Sequence, residues 1–315
     1  MGVARSFARG AKTVARRWVR PFVIPPVRFV VRYAPNKTRR FAWHHVVEPF
    51  LQYAEHDYIA TTRFGTILAG NTIDLIQRYV FYFGEWEPNV SRYVADRLRP
   101  GDVFIDVGAN IGWYTLLAST IVGPSGRVVA LEASPSIHGL LLDNLRRNRV
   151  DNVEAINVAV ADRQGSARVF LSPETNIGKT SIVSTPGGRY ECDVPAASLD
   201  ALLSPELLEK VRLVKIDVEC AEWLVIRGMR EALRRSRTDL EVVVELNPRT
   251  LGKQGTSAEE VLAVFEEAHF HPYRIENDYS AGSYLEDPDA RPQRLTAPIS
   301  EQTDVVFSRR DAAFL

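Results

Sequence analysis

Asp106, Glu132 and Asp217 are the residues from which the chemistry of this chain can be read. Each stands at or beside the end of a short apolar run: Val103–Val107, Arg127–Glu132 and Arg212–Asp217. Runs of that length followed by helical patterns read as buried strands of a parallel sheet. Three carboxylates then lie at the carboxyl ends of strands, where open α/β sheets bind their ligands. After the first acid comes Gly108-Ala109-Asn110-Ile111-Gly112, a turn whose glycines admit positive φ and a close approach of ligand to backbone.

Charge narrows the ligand. Glu132 is spaced from the turn as the carboxylate that grips ribose hydroxyls in βαβ nucleotide sites, and a carboxylate accepts from two vicinal hydroxyls at once. The turn itself reads Asp-x-Gly-x-Asn-x-Gly rather than Gly-x-Gly-x-x-Gly. Asp106 would repel a pyrophosphate. A ligand with a ribose and an ammonium but no phosphate, such as S-adenosylmethionine, suits these residues better than a nicotinamide dinucleotide.

The elements that must hold these acids alternate. Strands are expected over Val103–Val107, Arg127–Glu132, Val153–Val160, Arg212–Asp217 and Leu240–Glu245, with helices over Pro135–Asn148, Asp200–Leu208, Leu224–Arg235 and Ser257–Ala268, the last with a Ser257/Glu260 capping box. Pro272–Ile275 and Asp304–Phe307 are final strand candidates. This order specifies a doubly wound, seven-stranded Rossmann-like α/β sheet that ends in an antiparallel hairpin. Ala167–Leu171 and Tyr190–Val194 interrupt the alternation as two extra strands. Before the sheet, short strands near residues 58–69, a helix over Asp74–Tyr82 ended by Gly84 and a helix over Val90–Leu98 form an α+β cap.

Composition adds a second theme. The 315 residues carry 39 basic and 39 acidic side chains, but 11 of the basic ones precede the first acid, Glu48. That leaves 28 basic against 39 acidic residues beyond it, a net of −11. Residues 2–20 show apolar positions at helical spacing with Arg5, Arg9, Lys12, Arg16 and Arg20 opposite, a basic amphipathic helix ended by Pro21, Pro25 and Pro26. Such a helix suits an anionic membrane surface; the alternatives are the chain's own acidic surface or contact with a nucleic acid. Phe22–Val31 is too interrupted to span a bilayer. The expected divisions are a basic arm over 1–45, a cap over 46–98 and a catalytic sheet domain over 99–310. Two cysteines without framework spacing, Cys192 and Cys220, point to a reducing, cytoplasmic setting, peripheral on the membrane if the arm binds it. No spacing of His, Cys, Asp or Glu predicts a metal, and no nucleic-acid partner is expected.

In its motifs the chain resembles the FkbM-type family of S-adenosylmethionine-dependent methyltransferases. The resemblance rests on Trp86-Glu87-Pro88, Asp106-Val-Gly-Ala-Asn-Ile-Gly112, Glu132-Ala-Ser-Pro135, Asn157-Val-Ala-Val160, the Asn176/Gly178/Ser181 loop, Ser198-Leu-Asp200, Lys215-Ile-Asp217-Val-Glu219 and Glu245. It implies a class I methyltransferase sheet. Gly108, Ala109, Asn110 and Gly112, with Asp106, would hold the methionine end of the cofactor. Glu132, Ala133 and Ser134 would hold the ribose, and Ala159 and Val160 would flank the adenine. Asp217 and Glu219 would stand near the reacting atoms, with Glu87 as a further catalytic candidate that otherwise only caps a helix. The acceptor implied is a hydroxyl of a sugar, glycolipid, polyketide or related metabolite. Cys220 stands where the family usually has glycine. Two other classes remain open from sequence: a nicotinamide-dependent oxidoreductase and a non-catalytic, membrane-attached binding module.

Overall fold

The structure, a computed structural model, describes residues 22–52, 54–184, 187–278, 280–285 and 291–315. The helix expected over 2–20 lies outside them. Residues 22–33 are helical (α1). α2 (Asn36–Ala42) runs on as a π-helix over Trp43–Leu51. Pro25 and Pro26, expected to end the helix over 2–20, lie within the first turns of α1. Ile24 and Val31 are buried in the domain core, and that burial offsets the local cost of the prolines.

The cap contains β1 (Asp57–Thr61), β2 (Ile67–Asn71), α3 (Leu75–Phe83) and α4 (Pro88–Arg97). Asp74 caps α3 by accepting from Gln77 N, and Gly84 ends it in the left-handed conformation that glycine tolerates. Val90, Tyr93, Val94 and Leu98 share one apolar cluster with Phe104, Val128 and Leu213 of the sheet. The cap is thus packed directly on the sheet that bears the acids.

From there the chain alternates: β3 (Val103–Val107), α5 (Trp113–Val122), β4 (Arg127–Glu132), α6 (Pro135–Asn148) and β5 (Val153–Asn157). A short β6 (Ala159–Val160), β7 (Gly165–Leu171) and β8 (Arg189–Ala197) make a separate three-stranded sheet. The single strand expected over 153–160 is therefore broken at Val158. Asn157 Nδ2 donates to the carbonyls of Glu132 and Ala133, which ties the break to the end of β4.

The second half holds α7 (Leu199–Leu202), α8 (Pro205–Leu208), β9 (Val211–Ile216), α9 (Glu222–Arg227), α10 (Arg230–Arg235), β10 (Glu241–Leu246), α11 (Pro248–Lys253), α12 (Ala258–Glu267), β11 (His271–Ile275), β12 (Gln293–Arg294) and β13 (Thr303–Ser308). Two long helices of the sequence reading are each split. Leu224–Arg235 breaks at Gly228, where an added Cβ would lie 2.1 Å from the Ala161 carbonyl oxygen. The Asp200 carboxylate then accepts from Glu231 N at 2.9 Å and Ala232 N at 2.7 Å, starting α10 afresh. The expected capping box on α12 is present.

The main sheet has the order β12-β11-β13-β10-β9-β3-β4-β5. Strands β10, β9, β3, β4 and β5 are parallel and β13 runs against both its neighbours. The seven expected strands are all present; β12 adds a two-residue eighth at the edge. Side chains alternate between two buried faces. Val103, Ile105 and Val107 pack with the later helices, while Phe104 packs with the cap. Asp106 and Lys215, registered partners across β3 and β9, fall on the cap side. The strand order reverses between β3 and β9, and at such a switch point the crevice above the strand ends is the natural ligand site.

Candidate active site

The turn after β3 is built by close approach. Gly108 has φ +84°, and a Cβ on it would lie 2.0 Å from the Asp217 carbonyl oxygen. Gly108 N and Ala109 N both donate to the Leu131 carbonyl, at 2.9 and 3.1 Å, which clamps the turn onto β4. Asn110 takes φ 50°, a left-handed geometry that asparagine accepts more readily than most residues. Its Oδ1 receives Ile111 N at 2.8 Å.

Glu132 joins the turn to the next loop. Its two carboxylate oxygens accept from Asn110 N and Ser134 N, both at 2.9 Å. Burial pushes its pKa up to about 7. Ser134 caps α6 by accepting from Ile137 N and donates its own hydroxyl to Glu191 at 2.6 Å. That partner on β8 braces the loop from the small sheet.

A cavity of about 670 Å³ opens at the switch point, a size ordinary for a cofactor site. Its wall includes Ala133, Ala159 and Val160 at an apolar end, then Gly108, Asn110 and Glu132, and beyond them Glu87, Asp217, Glu219 and Glu245. Four residues expected at the cofactor are not in that wall. Asp106 is buried beneath it, accepting from the Thr115 hydroxyl at 2.5 Å, and burial raises its pKa to about 6. Ala109 is packed in the core. Gly112 is the left-handed cap of α5, with Leu141 Cδ1 2.7 Å from where a Cβ would sit. Ser134 serves the cap and brace just described. These four shape the turn from behind, because a buried strand end has room for few side chains on its open side.

The far end of the cavity is a cluster of acids around one buried ammonium. Lys215 is 2% exposed. Its Nζ lies 2.7 Å from Asp217 Oδ2 and 4.0 Å from Glu87 Oε2, and 4.5 Å above the Tyr114 ring. Burial opposes its charge, but Asp217, Glu87 and Asp304 outweigh that and raise its pKa, so the ammonium persists. Glu87 also accepts from the Tyr114 hydroxyl at 2.5 Å and from Asn277 Nδ2 at 3.2 Å. Asn277 donates to Asp304 as well, at 2.8 Å. Glu87 does precede α4, but no side-chain cap bond is made. Its φ of 44° directly before Pro88 is a strained backbone for a non-glycine residue. Strain retained at a buried acid in a cavity wall is a mark of a functional position.

Glu245 faces Asp304 in strand register. Burial and the neighbouring carboxylates push Glu245 up to about 10 and Asp304 to about 7. Glu219 is raised to about 7 by burial, then by Asp217. The helix-start acid Glu222 is buried and raised to about 8 by the same cause. It does not line the cavity. Cys220, in the wall, has φ 61°, which accounts for the preference for glycine there in related sequences. Lys215, Tyr114, Asn277 and Asp304 carried no role in the sequence reading. An isolated lysine in an apolar strand was the available signal.

A roof closes the cavity on the cap side. The turn Glu174–Lys179 contributes Asn176, Ile177, Gly178 and Lys179 to the wall. Ile177 N donates to Asp74 Oδ2 at 2.8 Å. A Cβ on Gly178 would meet Ile76 Cδ1 at 2.6 Å. The Ser181 hydroxyl donates to the Glu219 carbonyl, fixing the loop over the acids.

This geometry agrees with a comparison to known families. The methyltransferase FkbM domain model matches residues 106–272, more than half of the chain. The chain belongs to the FkbM methyltransferase family. It is 29% identical over 163 residues to a 31-O-demethyl-FK506 methyltransferase of Streptomyces tacrolimicus, covering 43% of this chain and 62% of that one. It is 30% identical over 148 residues to the hexuronic acid methyltransferase AglP of Haloferax volcanii, covering 47% and 58%. The chain thus spans about three fifths of the length of these relatives. Among solved structures it is similar to a methyltransferase FkbM from Methylobacillus flagellatus, with 13% identity, a TM-score of 0.40 and coverage of 74% of this chain and 52% of that one.

The FkbM family is S-adenosylmethionine-dependent, and the cavity suits that cofactor. Glu132, a buried carboxylate in the wall, would take the ribose diol. Ala133, Ala159 and Val160 offer an apolar slot for an adenine. The acids around Asp217 suit a sulfonium and an ammonium. No cluster of three His, Cys, Asp or Glu among the described residues is arranged to hold a metal ion.

Proposed function

We propose that the protein is an O-methyltransferase acting on a hydroxyl of a sugar, glycolipid, polyketide or related metabolite. The observation that carries this reading is the meeting of Asp217, Glu219 and Glu87 at the end of the cavity beyond Glu132. Bound between Glu132 and these acids, S-adenosylmethionine supplies an electrophilic methyl group. The names of the two relatives, a 31-O-demethyl-FK506 methyltransferase and a hexuronic acid methyltransferase, support an oxygenated acceptor.

The residues divide the work by their surroundings. Asp217 is ion-paired with Lys215 at 2.7 Å, which fixes the direction of its carboxylate. Burial, and then Asp217 as a like-charged neighbour, make Glu219 hold a proton more tightly than a free carboxylate does. With a pKa of about 7 it is suited to accept a proton from a hydroxyl near neutrality. Asp217 and Glu87, both held by Lys215, orient the acceptor. Positioning of the oxygen in line with the methyl carbon supplies most of the rate.

The test uses Glu219→Gln. The variant should bind S-adenosylhomocysteine as the wild type does in calorimetry and transfer labelled methyl groups about 10²–10⁴-fold more slowly. The wild-type rate should rise with pH through about 7 as Glu219 deprotonates. An unchanged rate in the variant would remove Glu219 from this role, and tighter binding of NAD than of S-adenosylhomocysteine would overturn the reading as a whole.

A further inference from the structure

Outward-facing aromatic side chains are concentrated in one segment. Phe22, Phe29, Tyr33, Phe41 and Phe50 are 81, 65, 65, 61 and 64% exposed. Phe22, Phe29 and Tyr33 recur at spacings of seven and four on α1, so they share one side of the helix. The Phe29 and Tyr33 rings lie 5.3 Å apart. Phe41 stacks on His45 at 4.5 Å, and Phe50 follows about two turns later in the widened helix. A concentration of exposed rings in one segment marks an interaction site, whereas scattered single residues do not.

These rings are not the unburied side of a loosely attached helix. Ile24, Val31, Trp43, Val47 and Leu51 are buried on the other side of the same helices. Three arginines fasten the segment inward. Arg28 Nε donates to the Phe81 carbonyl at 2.8 Å, and Arg32 Nη2 donates to the Thr61 carbonyl at 2.6 Å. Arg39 donates to the carbonyls of Val31 and Tyr284, at 2.7 and 2.9 Å. The basic amphipathic arm was expected to meet an anionic membrane surface through residues 1–40. Within α1 and α2 those three cations are instead spent on seating the helices, and the aromatic face is what remains turned out.

The surrounding charge selects the partner. No acid precedes Glu48, Lys37 and Arg40 are exposed among the rings, and six cations from Arg5 to Arg20 precede Phe22 in the sequence. Two copies of this face would bring like charge against like. An anionic lipid surface complements it, because aromatic rings partition to the headgroup level and cations gain from anionic headgroups. Among the described residues no helix is long and apolar enough to cross a membrane, so the contact is one of lying on the surface.

We propose that the outward faces of α1 and of the helix Asn36–Leu51 dock the protein on an anionic phospholipid surface. The docking helices adjoin the acceptor end of the cavity. Arg39 holds the Tyr284 carbonyl, and the Tyr284 hydroxyl accepts from Glu87 N at 3.1 Å. Trp43 packs on Tyr79 and Phe83, and both of those pack on Tyr284. The helices set on the lipid by docking are therefore the ones whose inner sides reach Tyr284 and Glu87.

The full chain is sedimented with vesicles of equal parts phosphatidylglycerol and phosphatidylcholine, and separately with vesicles of phosphatidylcholine alone. The wild type should bind the anionic vesicles more tightly, and the triple variant F29S/Y33S/F41S should bind them at least about tenfold less with an unchanged melting temperature. If the triple variant melts early, F29S and F41S are measured singly, each with a smaller loss in the same direction. Wild-type retention by the aromatic variants overturns the proposal, as does failure of the wild type to bind anionic vesicles. A wild-type dimer that the variants split, without vesicle binding by either, would assign the face to a second copy of the chain and also overturn it.

Discussion

The two ends of the cavity are built in different ways. The proposed cofactor end is mostly backbone: a glycine turn, two N–H groups and one carboxylate within the span Gly108–Ser134, closed by Ala159 and Val160 of β6. The proposed acceptor end is side chain: Glu87 from the cap, Tyr114 from α5, Lys215 from β9 and Asp217 just beyond it, Asn277 from the loop after β11 and Asp304 from β13. The first end depends on local geometry. The second depends on a charge balance among segments that meet only when the sheet is complete. Removal of a charge should therefore be felt in stability at the acceptor end and in ligand affinity at the cofactor end.

The largest effect is expected at Lys215. Lys215→Met keeps the stem in its apolar surroundings but leaves buried Glu87 and half-buried Asp217 without their cation. Breaking a buried pair in this way costs about 3–5 kcal/mol, measurable by urea unfolding. The same balance fixes a pH dependence. Glu219, Asp304 and Glu245 have folded-state pKa values of about 7, about 7 and about 10, all above those of unfolded carboxylates. Their contribution is fully present below the ordinary carboxylate range and is lost as pH rises through the folded values. The wild-type melting temperature should thus fall as pH is raised from 6 towards 10, and a flat profile would show that the cluster is better solvated than its burial implies.

The same contrast explains what the sequence could and could not reveal. Gly108, Asn110 and Glu132 were legible because a left-handed turn and its partner acid are specified within one βαβ unit. Helix ends were legible where a cap is local, as at Ser257. Asp304 was readable only as part of a terminal strand, since its registry with Glu245 depends on the antiparallel insertion of β13. Lys215 sat in plain view in the Lys-Ile-Asp-Val-Glu text, but its role rests on Glu87, more than a hundred residues earlier. The split of the third strand at Val158 was hidden for the same reason: Asn157 turns its amide to the end of β4, and no pattern along the strand announces that bond.

A middle-sized effect tests the cofactor end. Glu132→Gln replaces one of two acceptor oxygens with a donor that faces a backbone N–H. Hydrogen bonds to a charged group are worth about 1.5–3 kcal/mol, so affinity for S-adenosylhomocysteine at pH 8 should fall roughly 10–100-fold in calorimetry. Wild-type affinity should strengthen as pH rises through about 7, where Glu132 ionises, and the variant should lose that dependence. The stability of the acceptor end runs the opposite way with pH, so the two regions can be separated in one titration series.

The smallest effect sharpens the comparison, because it concerns a residue that belongs to the family text and to neither end. Asp200 lies in Ser198-Leu-Asp200 and is absent from the cavity wall. Its carboxylate accepts from Glu231 N and Ala232 N and so starts α10 across the break at Gly228. Asp200→Ala should cost about 1 kcal/mol, the ordinary value of a lost helix cap, seen as a shift in the unfolding midpoint. Affinity for S-adenosylhomocysteine and the rate of methyl transfer should stay at wild-type values. A fall in affinity instead would mean that the α9–α10 break transmits to Asp217 through α9, and the cofactor end would then be less local than its backbone contacts make it.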